Sequence, residues 1–231
     1  MQPTMRIVAV GGPKGGKGAS TTAVHLAAIA ARSGHSVLLV DGDGNRSATD
    51  IAELAGDALP VDLADGQDPS ALRRLRQVDG YDLAIVDLPG AREGAFEAIL
   101  SGDGRPVADL LVMPTAPEAM DLRPTLRVVR GEIVPLGLPY LLVFTRVTTA
   151  AVPRARERQT ELRGIGLRVA DTIIRRYAVY DEAVERGGTV LDLPGGAHSY
   201  PRQAESNYRA LAAEVFGAVG LAVRKPGRAV L

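Results

Sequence analysis

The chain contains no cysteine. That absence excludes disulfides, thiolate metal sites and cysteine-held iron–sulfur clusters, and it fits a reducing cytosol. Net charge is also missing: 27 basic residues balance 27 acidic ones. No global basic field exists, so any nucleic-acid binding must come from a local patch. Lysine is scarce. Lys14, Lys17 and Lys225 are the only lysines, and two of them stand in the opening stretch. No run approaches the roughly 18 uninterrupted apolar residues of a membrane span. The opening "MQPTMRIVAV" is too short and polar for a signal peptide. Internal repeats and low-complexity linkers are absent. His25, His35 and His198 lie far apart and lack metal-ligand spacing. These absences leave a soluble, cytoplasmic chain as the expectation.

What is present is alternation. Short apolar runs at 5–10, 36–43, 82–90, 109–115, 139–145 and 167–174 read as buried strands. Helical patterns fall between and after them, from "TTAVHLAAIAARSG" with Gly34 as its stop, through 47–55, 69–77, 92–101, 119–134, 153–163 and 178–186 to 202–221. Fully apolar strands alternating with helices predict an α/β fold: a mostly parallel, twisted sheet with helices on both faces. The length of 231 residues suits one domain over 1–223. The tail 224–231 reads as a disordered end, too short for an amphipathic membrane helix.

"GGPKGGKGAST", from Gly11 to Thr21, connects the first strand to the first helix. Glycines let a backbone fold tightly, so that several N–H groups converge on phosphate oxygens. A helix N-terminus adds partial positive charge. Ser20 or Thr21 offers a hydroxyl to Mg²⁺, or simply caps the helix. Two registers compete. Gly11-x4-Gly16-Lys17 has the usual phosphate-loop spacing but is followed by Gly18, which has no hydroxyl. Gly18-Ala19-Ser20 keeps the hydroxyl and loses the lysine. The second starts the helix more naturally. Asp41 and Asp43 end the second run two residues apart, and Asp87 lies in the third. In an ideal strand, residues i and i+2 share a face, so Asp41 and Asp43 are expected to look into one cleft.

The stretch from Lys14 to Thr49 resembles the ParA/MinD family of P-loop ATPases, whose deviant Walker A motif reads K-G-G-x-G-K-[ST]-T. Lys14, Gly15, Gly16, Gly18, Ser20 and Thr21 match; Ala19 stands where the motif has its Walker lysine, and Lys17 fills the variable position. "VLLVDGDGNRSAT", "YDLAIVDLPG", "DLLVMPTAPEAMDLRPTLRVV" and "TIIRRYAVYDEAVERGGTVLDL" resemble later family segments, so the resemblance runs over about 5–221. The stretch 145–170 resembles the VirC branch.

The resemblance implies a P-loop NTPase fold, ATP and Mg²⁺ as ligands, and a homodimer formed on nucleotide binding. It implies nucleotide contacts at Pro13, Gly15, Gly16, Lys17, Gly18, Ala19, Ser20, Thr21, Thr145, Arg146, Ile174, Arg175 and Arg176. Ser20, Asp41 and Asp87 would serve Mg²⁺, and Asp43 would position the attacking water. Lys14 would reach the partner subunit's nucleotide. Non-specific DNA would lie on Arg175, Arg176, Arg202 and Arg209, and a ParB-like or other centromere-binding or stimulating protein would trigger turnover. The site of action would be the nucleoid, with no membrane partner.

Ala19 is the departure that matters. Losing one electrostatic contact at a reacting centre costs about 3–4 kcal/mol. Lys17, two residues earlier, is a candidate to replace it; the bland alternative is a lysine in solvent or on DNA. Three functional expectations follow. The first is an ATP-dependent switch for DNA partitioning or positioning, with weak or partner-stimulated hydrolysis. The second is a non-hydrolysing nucleotide-binding scaffold. The third is a ligase on a related fold, for which no residue names a substrate.

Overall fold

A computed structural model describes residues 4–90, 94–102, 104–196 and 199–222. Among them, seven strands form one sheet: β1 Arg6–Val10, β2 Val37–Asp41, β3 Asp62–Asp65, β4 Leu83–Asp87, β5 Leu110–Thr115, β6 Tyr140–Val147 and β7 Val169–Arg175. The spatial order is β3-β2-β4-β1-β5-β6-β7, and every pairing is parallel. β2, β4 and β5 are buried at every position, as a sheet covered on both faces requires.

Side chains alternate between two cores. Ile7, Ala9, Val40 and Val86 face one core. It is closed by α3 (Pro69–Arg73), α4 (Gly94–Leu100), α5 (Ala119–Val128) and α6 (Val152–Gly164). Val8, Val10, Leu39 and Ile85 face the other. That one lies under α1 (Ala19–Arg32), α2 (Ser47–Ala55), α7 (Val179–Glu185) and α8 (Tyr200–Ala218). α1 is buried without a break from Thr22 to Ala30. It touches the sheet, α2 and α8 together, so its small alanines serve close approach on every side rather than on one stripe.

The strands of the expected sheet are all present, and the differences have local causes. β3 was not anticipated. It is an edge strand, mostly exposed, and its sequence DLAD lacks an apolar run. The helix expected over 69–77 breaks after Arg73 into a 3₁₀ turn. The one expected over 119–134 keeps α-geometry to Val128 and then widens into a π-turn. β2 ends at Asp41, so Asp43 lies in the following loop and the shared-face argument for the two carboxylates does not apply. His198, the tail 224–231 and residues 92–93 of the expected fourth helix lie outside the described residues.

His25 ties α1 to the late part of the chain. Its Nδ1 donates to Thr21 O at 2.7 Å, and its Nε2 accepts from Val190 N at 3.2 Å. The ring stacks on Tyr208, with centroids 4.2 Å apart, and meets the edge of Tyr180. Burial lowers its pKa to about 4, with the Thr21 bond and Asp192 opposing the shift and Arg32 assisting it. The neutral ring is thus built into the fold. Because the folded pKa lies below the unfolded one, the unfolded state takes up the proton first as pH falls. Stability should therefore drop between pH 6.5 and 4, by about 1.4 kcal/mol per unit at the steepest. Urea titrations of wild type and His25→Gln across that window should differ in slope. Parallel slopes would contradict the assignment.

Candidate functional site

The carboxyl ends of β1, β2, β4, β5 and β6 open on one edge, where ligands of such sheets collect. The turn from Gly11 to Gly18 lies there. Gly16 and Gly18 have φ of 71° and 81°, the left-handed region that glycine enters without strain. Gly18 caps α1, which begins at Ala19; Thr22 N and Oγ1 both bond Gly18 O, at 3.0 and 2.7 Å. Among the described residues, no acceptor bonds the amides of Ala19, Ser20 and Thr21. The end of β6 holds the turn's carbonyls away. Thr145 Oγ1 donates to Lys17 O at 2.7 Å, and Arg146 donates to Gly16 O at 3.1 Å. The cavity above measures about 730 Å³ and is lined by Lys14 through Thr21, Asp43 to Asn45, Gly90 and Arg146 among others. A Cβ on Gly90 would come within 2.3 Å of Gly15 Cα, so the segment after β4 lies directly on the turn.

Asp87, the last residue of β4, is fully buried and both its carboxylate oxygens lack a hydrogen-bond partner. Burial raises its pKa to about 8. The nearby Ser20 hydroxyl favours the anion without completing a bond, while Asp41 and Asp43 add repulsion. A bare carboxylate beside a serine hydroxyl fits a hard divalent cation that keeps its waters. Asp41 is engaged differently. Its oxygens accept from Thr49 N at 2.8 Å, Thr49 Oγ1 at 2.9 Å and Asp43 N at 3.1 Å, so it fixes α2 and the loop. Asp43 lines the cavity and accepts from Asn45 N and Nδ2.

The two loop lysines share one partner. Lys14 Nζ and Lys17 Nζ both bond Asp121 on α5, Lys17 at 2.7 Å. The two ammonium groups, Lys14 first, hold the Asp121 carboxyl below its usual range. Lys17 is thus turned toward α5 and does not stand over Ala19. Pro13 is half-buried in the turn and lines neither cavity.

A second cavity of about 240 Å³ adjoins the first and shares Gly18, Thr21 and Arg146 with it. Thr145, Ile174, Arg175 and Arg176 line it, together with Tyr177, Tyr180 and Tyr208. The Tyr180 hydroxyl is buried without a partner, and desolvation pushes it far above the usual phenol range. A slot with aromatic walls beside a turn with unbonded amides suits a flat heterocycle joined to a phosphate chain. Arg175 also lies over the Tyr177 ring, 5.6 Å from its centroid. Arg202 and Arg209 both pair with Glu205 on α8.

Sequence reasoning missed Asp121, Gly90 and the three tyrosines. Gly90 had a local signal in its position just after a strand ending in Asp. Asp121 had none, because its partners lie more than a hundred residues away.

Residues 8–190 match the family described as the CobQ/CobB/MinD/ParA nucleotide binding domain. The chain is 38% identical over 210 residues to the maintenance of carboxysome distribution protein A of Gloeobacter kilaueensis, covering 91% of this chain and 94% of that one. It is 30% identical to the chromosome-partitioning ATPase Soj of Thermus thermophilus, over 89% of this chain and 96% of that one. Among solved structures, the septum site-determining protein MinD of Pyrococcus horikoshii, complexed with Mg-ADP, superposes with a TM-score of 0.68. Its identity is 22%, and the match covers 91% of this chain and 96% of that one.

Asp87 provides a direct check on the cation site. At pH 9, above its pKa of about 8, the wild-type carboxylate is charged and unpartnered. Asp87→Asn should then melt at or above the wild-type temperature in the absence of nucleotide. The same variant should lose the extra stabilisation that Mg²⁺ gives over EDTA when ATP is present. Equal Mg²⁺ dependence in both proteins would remove Asp87 from the site.

Proposed function

The chain belongs to the CobQ/CobB/MinD/ParA family of nucleotide-binding domains, and on that premise we propose an ATP-dependent, dimerising switch that distributes cargo within the cell. The observation that carries this reading is the bare row of amides at Ala19, Ser20 and Thr21, with a buried, unpartnered Asp87 near the Ser20 hydroxyl. Backbone donors accept the phosphates, and the helix end adds its dipole. Ser20 and Asp87 would hold Mg²⁺, Asp87 through water, and Asp41 would act on it indirectly by fixing the loop. The metal offsets phosphate charge when bound. The second cavity, with Thr145, Ile174, Arg175 and Arg176, would take the base and sugar. Asp43, at the cavity wall, would orient a water, and Lys14 would serve the partner subunit's nucleotide across a face-to-face dimer.

Cargo and track form the finer part of the proposal. Relatives named for carboxysome distribution and chromosome partitioning support a positioning role. Non-specific DNA would bind along Arg175, Arg176, Arg202 and Arg209, and a stimulating protein would trigger release. Glu205 offsets one of the two α8 arginines, which leaves that cluster net positive. A second reading, a nucleotide-binding scaffold that does not hydrolyse, draws on Ala19 and on the engagement of both loop lysines by Asp121.

Light scattering and phosphate release separate the two. The switch predicts a dimer with ATP and Mg²⁺, a monomer with ADP, and slow turnover raised by DNA and by Ala19→Lys. Restoring the missing cation should accelerate turnover by about 10²–10³. ATP binding with no turnover under any of these conditions would favour the scaffold. No binding at millimolar ATP would end both readings.

A further inference from the structure

We infer that Arg146 supplies, within one subunit, the positive charge at the phosphate cradle that Ala19 lacks. This deepens the nucleotide-binding reading above and rests on it. Three cationic side chains among the described residues line the larger cavity: Lys14, Lys17 and Arg146. The two lysines share Asp121. Arg146 has no carboxylate partner among the described residues. Its one hydrogen bond goes to Gly16 O in the turn itself. The guanidinium is therefore anchored on the cradle with most of its donors unspent, and five N–H donors in a rigid fork suit phosphate oxygens.

The backbone commits to this placement. Arg146 has φ of 57° and, among the described residues, is one of two non-glycine residues in the left-handed region, the other being Arg46. Such a conformation is uncommon in a side-chain-bearing residue, and it clusters where function fixes geometry. Its neighbours hold it. Thr145 is bonded to Lys17 O, and Val147 O accepts from Arg176 N. The side chain lines both cavities, so its charge lies between the phosphate-accepting turn and the aromatic slot. It would be felt by a nucleoside polyphosphate and not by a bare nucleoside.

Calorimetry with ATP and ADP, and ligand-observed NMR with adenosine, test this on wild type, Arg146→Gly, Arg146→Lys and Arg146→Gly combined with Ala19→Lys. Glycine suits the left-handed backbone and removes only the side chain, and melting curves check that each variant folds. Arg146→Gly should weaken ATP and ADP about 10- to 100-fold, the range of a lost charged hydrogen bond, and leave adenosine unchanged. Arg146→Lys should fall between, and Ala19→Lys should recover most of the loss. Unchanged ATP affinity in Arg146→Gly would overturn the assignment while leaving the nucleotide reading intact. Equal losses for ATP and adenosine would also overturn it, by making Arg146 a shape element of the pocket. Wild type that binds no ATP would overturn both the assignment and the reading beneath it.

Discussion

The site depends on backbone amides that must stay bare. A polypeptide normally satisfies its N–H groups internally, and a buried one left alone is costly. Here the turn between β1 and α1 keeps the amides of Ala19, Ser20 and Thr21 free by giving its carbonyls other partners. Gly16 O takes Arg146, Lys17 O takes Thr145, and Gly18 O takes the amide and hydroxyl of Thr22. With those acceptors engaged elsewhere, the three residues whose amides stay unbonded line the cavity. Gly90 presses on Gly15 from the far side, with no room for a side chain between them. The unbonded amides are a consequence of these contacts and need no long side chain at Ala19.

Charge around the cradle follows the same logic of unmet partners. Asp87 is an acid with nothing to bond, and burial makes it hold its proton unless a cation arrives. Asp121 is an acid with two cations. Asp41 is an acid whose oxygens are spent on the backbone and hydroxyl of Thr49 and on Asp43 N. Three carboxylates near one cavity thus have three different tasks, and only their surroundings distinguish them. Among the described residues, the cation at the rim without a carboxylate partner is an arginine contributed by a distant strand.

The expected strands are all found because most are apolar runs bounded by Gly, Pro or Asp, and the β7 run keeps enough apolar residues beside Asp171 and Thr172 to be read as one. β3 escaped notice because an edge strand has one partner and an exposed face, so it needs no such run. The turn was legible for a related reason. Convergent amides require glycines in series, and glycines in series between a strand and an alanine-rich helix leave a local signature. Lys17 shows where local reading stops. Spacing placed it two residues from Ala19, within plausible reach. Nothing in the neighbourhood of the loop announced that Asp121 would take it instead.

The sequence by itself determined the parallel sheet, the glycine-rich turn between β1 and α1, and the acids at the ends of β2 and β4. Each is written in the period or composition of a few consecutive residues. Tertiary structure alone decided the partners: Asp121 for both lysines, Thr49 for Asp41, Gly16 O for Arg146, and tyrosines from α7, α8 and the loop after β7 for the wall of the second cavity. Pairing energies depend on distance and burial, and in a crossover fold both are set by strand order rather than by separation along the chain.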